Sequence, residues 1–287
     1  MLRRCFLAAF LAVAAMPAAA QQQTITFAVT DVEGLEALQR EWGPFAEAFR
    51  TASGLAMRFF PVNSRTAAVE AMNARRIDFA LTGPAEYVVF RARAEVQPVV
   101  IFSRPDYYAN IVVRADSPYQ TPADLKGQKV AFGAVGSTSR HLAPMQVLAD
   151  HGIDPRRDIQ PVHLSVPVQV ESLRRGDVAA AGFNFTDLMR LREREKTLAL
   201  RVIARGRDLP DDVLIAGAHV APDLVARVRE AFVSHSDALI AAILSVEPNR
   251  KYRGMRFLPG VRDTDFNYVR TMFRTIGQAQ FSDFPGN

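Results

Sequence analysis

Between Gly133 and His141 the chain reads GAVGSTSRH, which places three hydroxyl side chains, Ser137, Thr138 and Ser139, directly after two glycines. Neighbouring serine and threonine hydroxyls can converge on an oxyanion without supplying a full cation. At a helix start they are joined by unpaired backbone N–H groups and the positive end of the helix dipole, an arrangement suited to phosphate-like groups. Taken in isolation, S-T-S before a helix reads first as an ordinary N-cap. The elements around it must decide.

Lys129 to Phe132 (KVAF) has the pattern of a short buried strand, Gly133 and Gly136 allow a tight turn, and Arg140 to Asp150 predicts a helix with apolar Leu142, Met145, Val147 and Leu148. Upstream, Thr24 to Val29 is a strand. Leu35, Leu38, Trp42, Phe45 and Phe49 form a helical stripe across Glu33 to Ser53, interrupted or kinked at Gly43-Pro44. Met57 to Val62 and Asp78 to Thr82 read as strands around a helix from Arg65 to Arg75, and Gly83-Pro84 turns into a short helix from Glu86. Val99 to Phe102 and Tyr108 to Arg114 are further strands. Thr121-Pro122 then caps a short helix ending at Gly127.

A second alternating series follows the hydroxyl triplet. Its strands are Ile159 to His163, Ala179 to Phe183 and Ala199 to Ile203, with helices at Pro167 to Arg175 and from Thr186. Val213 to Ala216 is a strand, Asp223 to Ser234 and Asp237 to Val246 are helices, and a mixed tail runs to Asn287. Two β/α series imply an α/β chain in two lobes.

The first twenty residues read as a cleavable export signal. Arg3 and Arg4 precede an apolar run from Phe6 to Met16, and Ala18-Ala19-Ala20 gives an A-x-A pattern before Gln21. That run is too short to span a bilayer. Cys5, the single cysteine, lies before the apolar run and cannot be a lipoprotein acylation site, so a soluble periplasmic protein with no disulfide and no thiol chemistry is expected. The net charge of +5 is mild, and its arginines are spread over every segment, which argues against a nucleic-acid face. Nothing points to a metal or organic cofactor.

With these residues in hand, the chain resembles the phosphate, phosphite and phosphonate binding proteins of bacterial ABC importers. The resemblance rests on W-G-P-F at Trp42 to Phe45, V-E-A-M at Val69 to Met72, I-D-F-A-L-T-G-P-A-E-Y-V at Ile77 to Val88, and Y-Y-A-N-I-V-V-R at Tyr107 to Arg114. It continues through T-P-A-D-L-K-G at Thr121 to Gly127, G-S-T-S at Gly136 to Ser139, G-I-D-P at Gly152 to Pro155, R-G-D-V at Arg175 to Val178 and P-D-D at Pro210 to Asp212. The resemblance implies a two-lobe type II periplasmic binding fold, each lobe a mixed sheet flanked by helices, with a ligand cleft between the lobes. Lobe 1 would comprise 21–107 plus 213–287 and lobe 2 108–212. The crossings are expected near Ser103 to Tyr108 and Asp208 to Ile215.

It further implies that Ser137, Thr138 and Ser139 hold the ligand's oxyanion oxygens, that Tyr107 or Tyr108 supplies a cleft tyrosine, and that Asp212 supplies an acidic contact. Glu86 and Asn184 join them as candidates. Three positions depart from the family pattern. Arg65 replaces a cleft tyrosine, Val166 before Pro167 replaces a histidine, and Thr186, next to Asn184, replaces the glutamate that receives an amine in aminoethylphosphonate binders. The last two argue against an aminoalkyl phosphonate as the main ligand, since an amine would lose its carboxylate partner at Thr186, although Asp212 or Glu86 could substitute. Arg65 points toward a more anionic ligand, since a guanidinium fork pairs with two oxyanion oxygens. A neutral arsenite ligand held by cysteine is disfavoured, because no cysteine follows the signal.

The expected function is capture of a small oxyanion for an ABC transporter permease, by a monomer with only indirect membrane association. A second possibility, with the same closure, is a binding protein that reports to a membrane sensor kinase. A remote third is an exported enzyme. Ser137 or Ser139 with His141 or His163 can be imagined as nucleophile and base, yet no G-x-S-x-G, HExxH or paired-carboxylate motif occurs.

Overall fold

Short apolar runs alternate with amphipathic stripes, and they fold as strands and helices in that order; the computed structural model describes residues 23–283. The export signal expected over residues 1–20 lies outside the described residues. The first series is β1 (Thr24–Val29), α1 (Leu35–Ser53), β2 (Ala56–Phe59), α2 (Arg65–Asn73), β3 (Phe79–Thr82), α3 (Pro84–Arg93) and β4 (Val96–Phe102). The second is β5 (Ala109–Arg114), β6 (Lys129–Phe132), α4 (Ala143–Asp150), β7 (Gln160–His163), α5 (Val166–Arg175), β8 (Ala180–Asn184), α6 (Phe185–Arg194) and β9 (Leu200–Arg205). The chain then returns through β10 (Asp212–Gly217), α7 (Pro222–Ser234), α8 (Ser236–Leu244), β11 (Phe257–Leu258) and α9 (Asn267–Thr275).

Two mixed sheets result. One has the order β11-β4-β10-β3-β1-β2 and the other β7-β6-β8-β5-β9. Within the first, β1 pairs in parallel with β2 and β3, while β10 runs antiparallel between β3 and β4. Within the second, β6 pairs in parallel with β7 and β8, and β5 is antiparallel to β8 and β9. The chain therefore crosses between sheets twice, over 103–108 and 206–211.

The helical stripe of α1 explains the first core. Leu38, Trp42, Phe45 and Phe49 are fully buried; Trp42 meets Phe45 edge-on with ring centres 5.6 Å apart, Phe45 stacks on Phe232 of α7, and Phe49 lies tilted against it. This burial carries α1 uninterrupted through Gly43-Pro44, where the sequence had left open a break. A second apolar cluster spans both lobes: Tyr87 and Phe90 of α3, Leu142 to Leu148 around α4, and Met272 and Phe273 of α9 share it. The cluster sets α3 of one lobe against the start of α4 in the other.

The helix expected from Arg140 instead begins with a π turn, Thr138–Leu142, before α4. Pro144 is the cause. It has no N–H to offer the Arg140 carbonyl, which an α-helix would require, and that carbonyl accepts the Gly133 N–H at 2.7 Å instead. The glycine turn is thereby tied back to its own helix.

Candidate functional site

Both ends of the hydroxyl turn are fixed by its neighbours. A side chain at Gly133 would put its Cβ 2.6 Å from Arg140 Cβ, so only glycine fits there, and Gly136 sits at φ +84°, a conformation natural to glycine. The Gly136 N–H donates to His141 Nδ1 at 3.1 Å, and His163 Nδ1 lies 2.9 Å from the Gly133 carbonyl. The two imidazoles meet edge-on, 4.6 Å between centres. Burial, with the nearby His163, pushes the His141 imidazole down to about 4, so it is neutral at physiological pH and free to accept the Gly136 N–H.

Ser137, Thr138 and Ser139 are all buried. Ser137 stands at the N-cap position, but its side chain makes no capping bond. The Thr138 hydroxyl oxygen accepts the backbone N–H of Ala85, in the first turn of α3, at 2.9 Å, joining one lobe to the other. Ser139 Oγ accepts from Asn184 Nδ2 at 3.2 Å, while Asn184 Oδ1 caps α6 by accepting the Asp187 N–H at 2.8 Å. The opening turn of a helix leaves its first N–H groups without intrahelical acceptors, and a π turn leaves one more.

These hydroxyls border a cavity of about 100 Å³, with Asp31, Gly83, Glu86, Arg104, Tyr107, Arg140, Asn184, Asp212 and Lys251 as its other walls. Arg104 crosses it from the first inter-sheet segment. Its guanidinium lies 3.6 Å over the Tyr107 ring and 3.3 Å from Asp212 Oδ1, with both side chains almost wholly buried. Asp212 Oδ2 also accepts from the Tyr252 hydroxyl at 2.6 Å. Asp211 receives the Arg104 backbone N–H at 2.7 Å, and burial raises its carboxyl to about 6 even so. Lys251 is paired with Asp31, and Arg140 forms a two-pronged pair with Asp187 at 2.6 and 2.9 Å.

The sequence candidates thus divide. Ser137, Thr138, Ser139, Tyr107, Glu86, Asn184 and Asp212 share the cavity. Tyr108 does not. Its ring stacks on Phe185 at 5.2 Å under the Arg205 guanidinium, so of the two adjacent tyrosines only Tyr107 faces the cleft. Arg65 opens α2, and its side chain lies outside what the structure describes. Val166 and Pro167 begin α5, beside a different groove.

Five wall residues were not foreseen as such: Gly83 and Arg140, which flank the turn into α3 and the hydroxyl triplet, and Arg104, Asp31 and Lys251. Arg104 sits in the crossing segment expected from Ser103 to Tyr108, and its place there was the available signal. Asp31 follows β1 at the carboxyl end of a parallel strand, where open α/β sheets gather their ligands. Lys251 belongs to a 3-10 turn in the tail and carried no sequence signal. A larger cavity, about 310 Å³, shares Glu86 with this one but is walled mostly by apolar side chains such as Val89, Val135 and Phe273. Among the described residues, no cluster of three or more His, Cys, Asp or Glu side chains could hold a metal, and no helix is long and apolar enough to cross a membrane.

Residues 27–247 match the family described as ABC transporter, phosphonate, periplasmic substrate-binding protein. A curated relative, the phosphate-import protein PhnD of Mycolicibacterium smegmatis, is 29% identical over 138 residues, 46% of this chain and 43% of that protein's length. Among solved structures, a binding-protein component of an ABC phosphonate transporter from Pseudomonas aeruginosa superposes with a TM-score of 0.69 at 20% identity, covering 88% of this chain and 86% of its own. PhnD1 of Prochlorococcus marinus in complex with methylphosphonate gives 0.67 at 16% identity, over 90% of this chain and all of that one. A Xanthomonas citri protein bound to ATP gives 0.72 at 14% identity, over 90% and 98%.

Proposed function

Because the chain belongs to the phosphonate substrate-binding family of periplasmic ABC transporter proteins, we propose that it captures a small phosphonate-, phosphite- or phosphate-like oxyanion and delivers it to an ABC permease. The observation that carries this is the buried hydroxyl triplet at the π-turn helix start, closed over by α3 through the Thr138 to Ala85 bond. Ser137, Ser139 and the free N–H groups of the turn would donate to the oxyanion oxygens, with Tyr107 at their side. Closure of the lobes would exclude water and strengthen those hydrogen bonds. The relatives include a phosphate-import protein, a component of a phosphonate transporter and a methylphosphonate complex, which fits a tetrahedral oxyanion and leaves its substituent open.

Binding without chemistry is the simplest account of the site. His141 accepts the Gly136 N–H at Nδ1, so its neutral ring carries its proton on Nε2 and has no lone pair left to act as a serine's base; His163 Nδ1 lies at the Gly133 carbonyl, so both rings brace the turn. Export through a cleaved signal over residues 1–20, without lipid attachment, belongs to the same proposal.

Calorimetry on the chain from Gln21, cleared of carried-over ligand, tests it with phosphate, phosphite, methylphosphonate, sulfate and arsenate. One tetrahedral oxyanion should bind tightly and lose its affinity in Ser137→Ala/Ser139→Ala. Absence of binding by any of them to folded protein would defeat the oxyanion function while leaving the fold untouched.

A further inference from the structure

The cleft does not end at the hydroxyl turn. A second compartment of about 180 Å³ adjoins it, sharing Asp31, Arg104, Arg140, Asn184 and Lys251 as walls and adding Thr186 and Arg190 from α6. At Arg140, Asp187 and Arg190 it meets a wider groove of about 640 Å³ along α5 and α6. The seat itself, at about 100 Å³, leaves little room beyond the oxyanion. An organic arm that outgrows the seat has two ways out: this compartment, which shares five wall residues with the seat, and the apolar cavity of about 310 Å³, which shares only Glu86.

The donors in that compartment are unbalanced. Arg104 Nε is buried without a hydrogen-bond acceptor, and so are Nε and Nη2 of Arg190. Arg190 has one ion pair, to Glu247 Oε1 at 3.6 Å, and the Glu247 side chain is 62% exposed, so solvent competes for that partner. Three acids line the compartment, and each has a cationic partner: Asp187 pairs with Arg140, Asp31 with Lys251, and Glu41 with Arg40, which is largely exposed. A buried guanidinium N–H without an acceptor is costly, and an acceptor supplied from outside relieves that cost. Two such guanidinium groups lining one small space call for an anion. A carboxylate suits a guanidinium fork, whereas an ammonium would face two arginines and could be received only by drawing Glu41 away from Arg40.

We propose that this compartment takes the organic arm of the ligand and that the arm ends in a carboxylate, making the preferred ligand a carboxyalkyl phosphonate rather than an alkyl or aminoalkyl one. This rests on the oxyanion function proposed above. Charge-assisted hydrogen bonds of this kind change affinity by roughly 10- to 100-fold.

The test is calorimetric titration of the folded chain with methylphosphonate, propylphosphonate, 2-carboxyethylphosphonate and 2-aminoethylphosphonate, on the wild type and on Arg190→Gln and Arg190→Lys. The expected result is 2-carboxyethylphosphonate binding at least about 10-fold tighter than propylphosphonate. That ratio should fall toward one in Arg190→Gln and keep part of its value in Arg190→Lys. The Arg190 to Glu247 pair also joins the two lobes, so a general loosening of closure affects all ligands and cancels in the ratio. Equal affinity for the carboxyl and alkyl compounds, or a preference for the amine, overturns the inference while methylphosphonate binding leaves the oxyanion function standing. Failure of all four to bind while phosphate or phosphite still binds overturns this inference alone; failure of phosphate and phosphite as well overturns both.

Discussion

Thr138→Val tests the interlobe bond on which the proposed closure would turn, and it also removes the hydroxyl's contact with Tyr107. Valine has nearly the shape of threonine but no hydroxyl, so the change removes the acceptor of the Ala85 N–H, a buried 2.9 Å bond between lobes, and leaves little cavity. In the closed form that N–H then has no partner, at a cost of about 1 to 3 kcal/mol. In an opened form water satisfies it. The penalty therefore falls on the closed form alone, and because each 1.4 kcal/mol is tenfold, ligand affinity should drop by roughly 5- to 150-fold. Thr138→Ser keeps the oxygen and should stay within about threefold of wild type. Methylphosphonate titration by calorimetry reads the affinity, and small-angle scattering with and without ligand reads closure. Binding by Thr138→Val within twofold of wild type would refute the role of this bond, as would equal losses in Thr138→Val and Thr138→Ser.

Arg104→Met should cost about 3 to 5 kcal/mol, read by denaturant unfolding, because it strands Asp212 in the wall with only the Tyr252 hydroxyl; Arg104→Met/Asp212→Asn should recover much of that loss. Asn184→Asp keeps the oxygen that caps α6, so stability should hold, yet it replaces the donor to Ser139 with an anionic acceptor, and oxyanion affinity should fall at least tenfold by calorimetry. Titration of His141 and Asp211 should oppose each other between about pH 4 and 6. The His141 value is depressed, so its contribution is present above about 6.5 and is lost as pH falls toward about 4; the Asp211 value is raised, so its contribution is present below about 3.8 and is lost as pH rises through about 6. Thermal scans should accordingly show His141→Asn losing stability with rising pH across that window and Asp211→Asn gaining it; a common slope in both variants would exclude these two groups as the source.

What the sequence made legible depended on how local the cause was. The Leu38, Trp42, Phe45 and Phe49 stripe dictates α1 by its own spacing, and the burial found there needs nothing from afar. The hydroxyl triplet was legible for the same reason, since glycines, strand and helix all lie within twenty residues of it. The π turn was not read, although Pro144 was in plain view, because its effect runs through the Arg140 carbonyl to Gly133. Choosing between Tyr107 and Tyr108 required knowing which way the crossing segment leaves β4, and alternation along a strand does not extend into such a segment. Lys251 lay farthest from reach: it comes to the cavity through a tail segment about 110 residues after the triplet, beside an acid from the first loop.

The charges of the seat bear on how it can recognise an anion. Arg104, Arg140 and Lys251 face it, but each is already paired, with Asp212, Asp187 and Asp31 in turn. A fixed pair presents a dipole rather than a net charge, and two of these acids, with Glu86, stand in the same wall. An anion entering such a seat gains little from bulk positive potential. In the proposed binding mode it would be held by directed donors: the hydroxyls, the N–H groups of the turn, and the guanidinium edges. The acids impose a further condition, since a carboxylate beside an oxyanion repels it unless one of the two carries a proton to share. A tetrahedral ligand with a P–OH near neutral pH can supply that proton, whereas a sulfate or sulfonate cannot. On the proposed function, selection in this cleft would thus follow from the neutrality of its walls, with discrimination vested in hydrogen-bond geometry and not in the amount of positive charge.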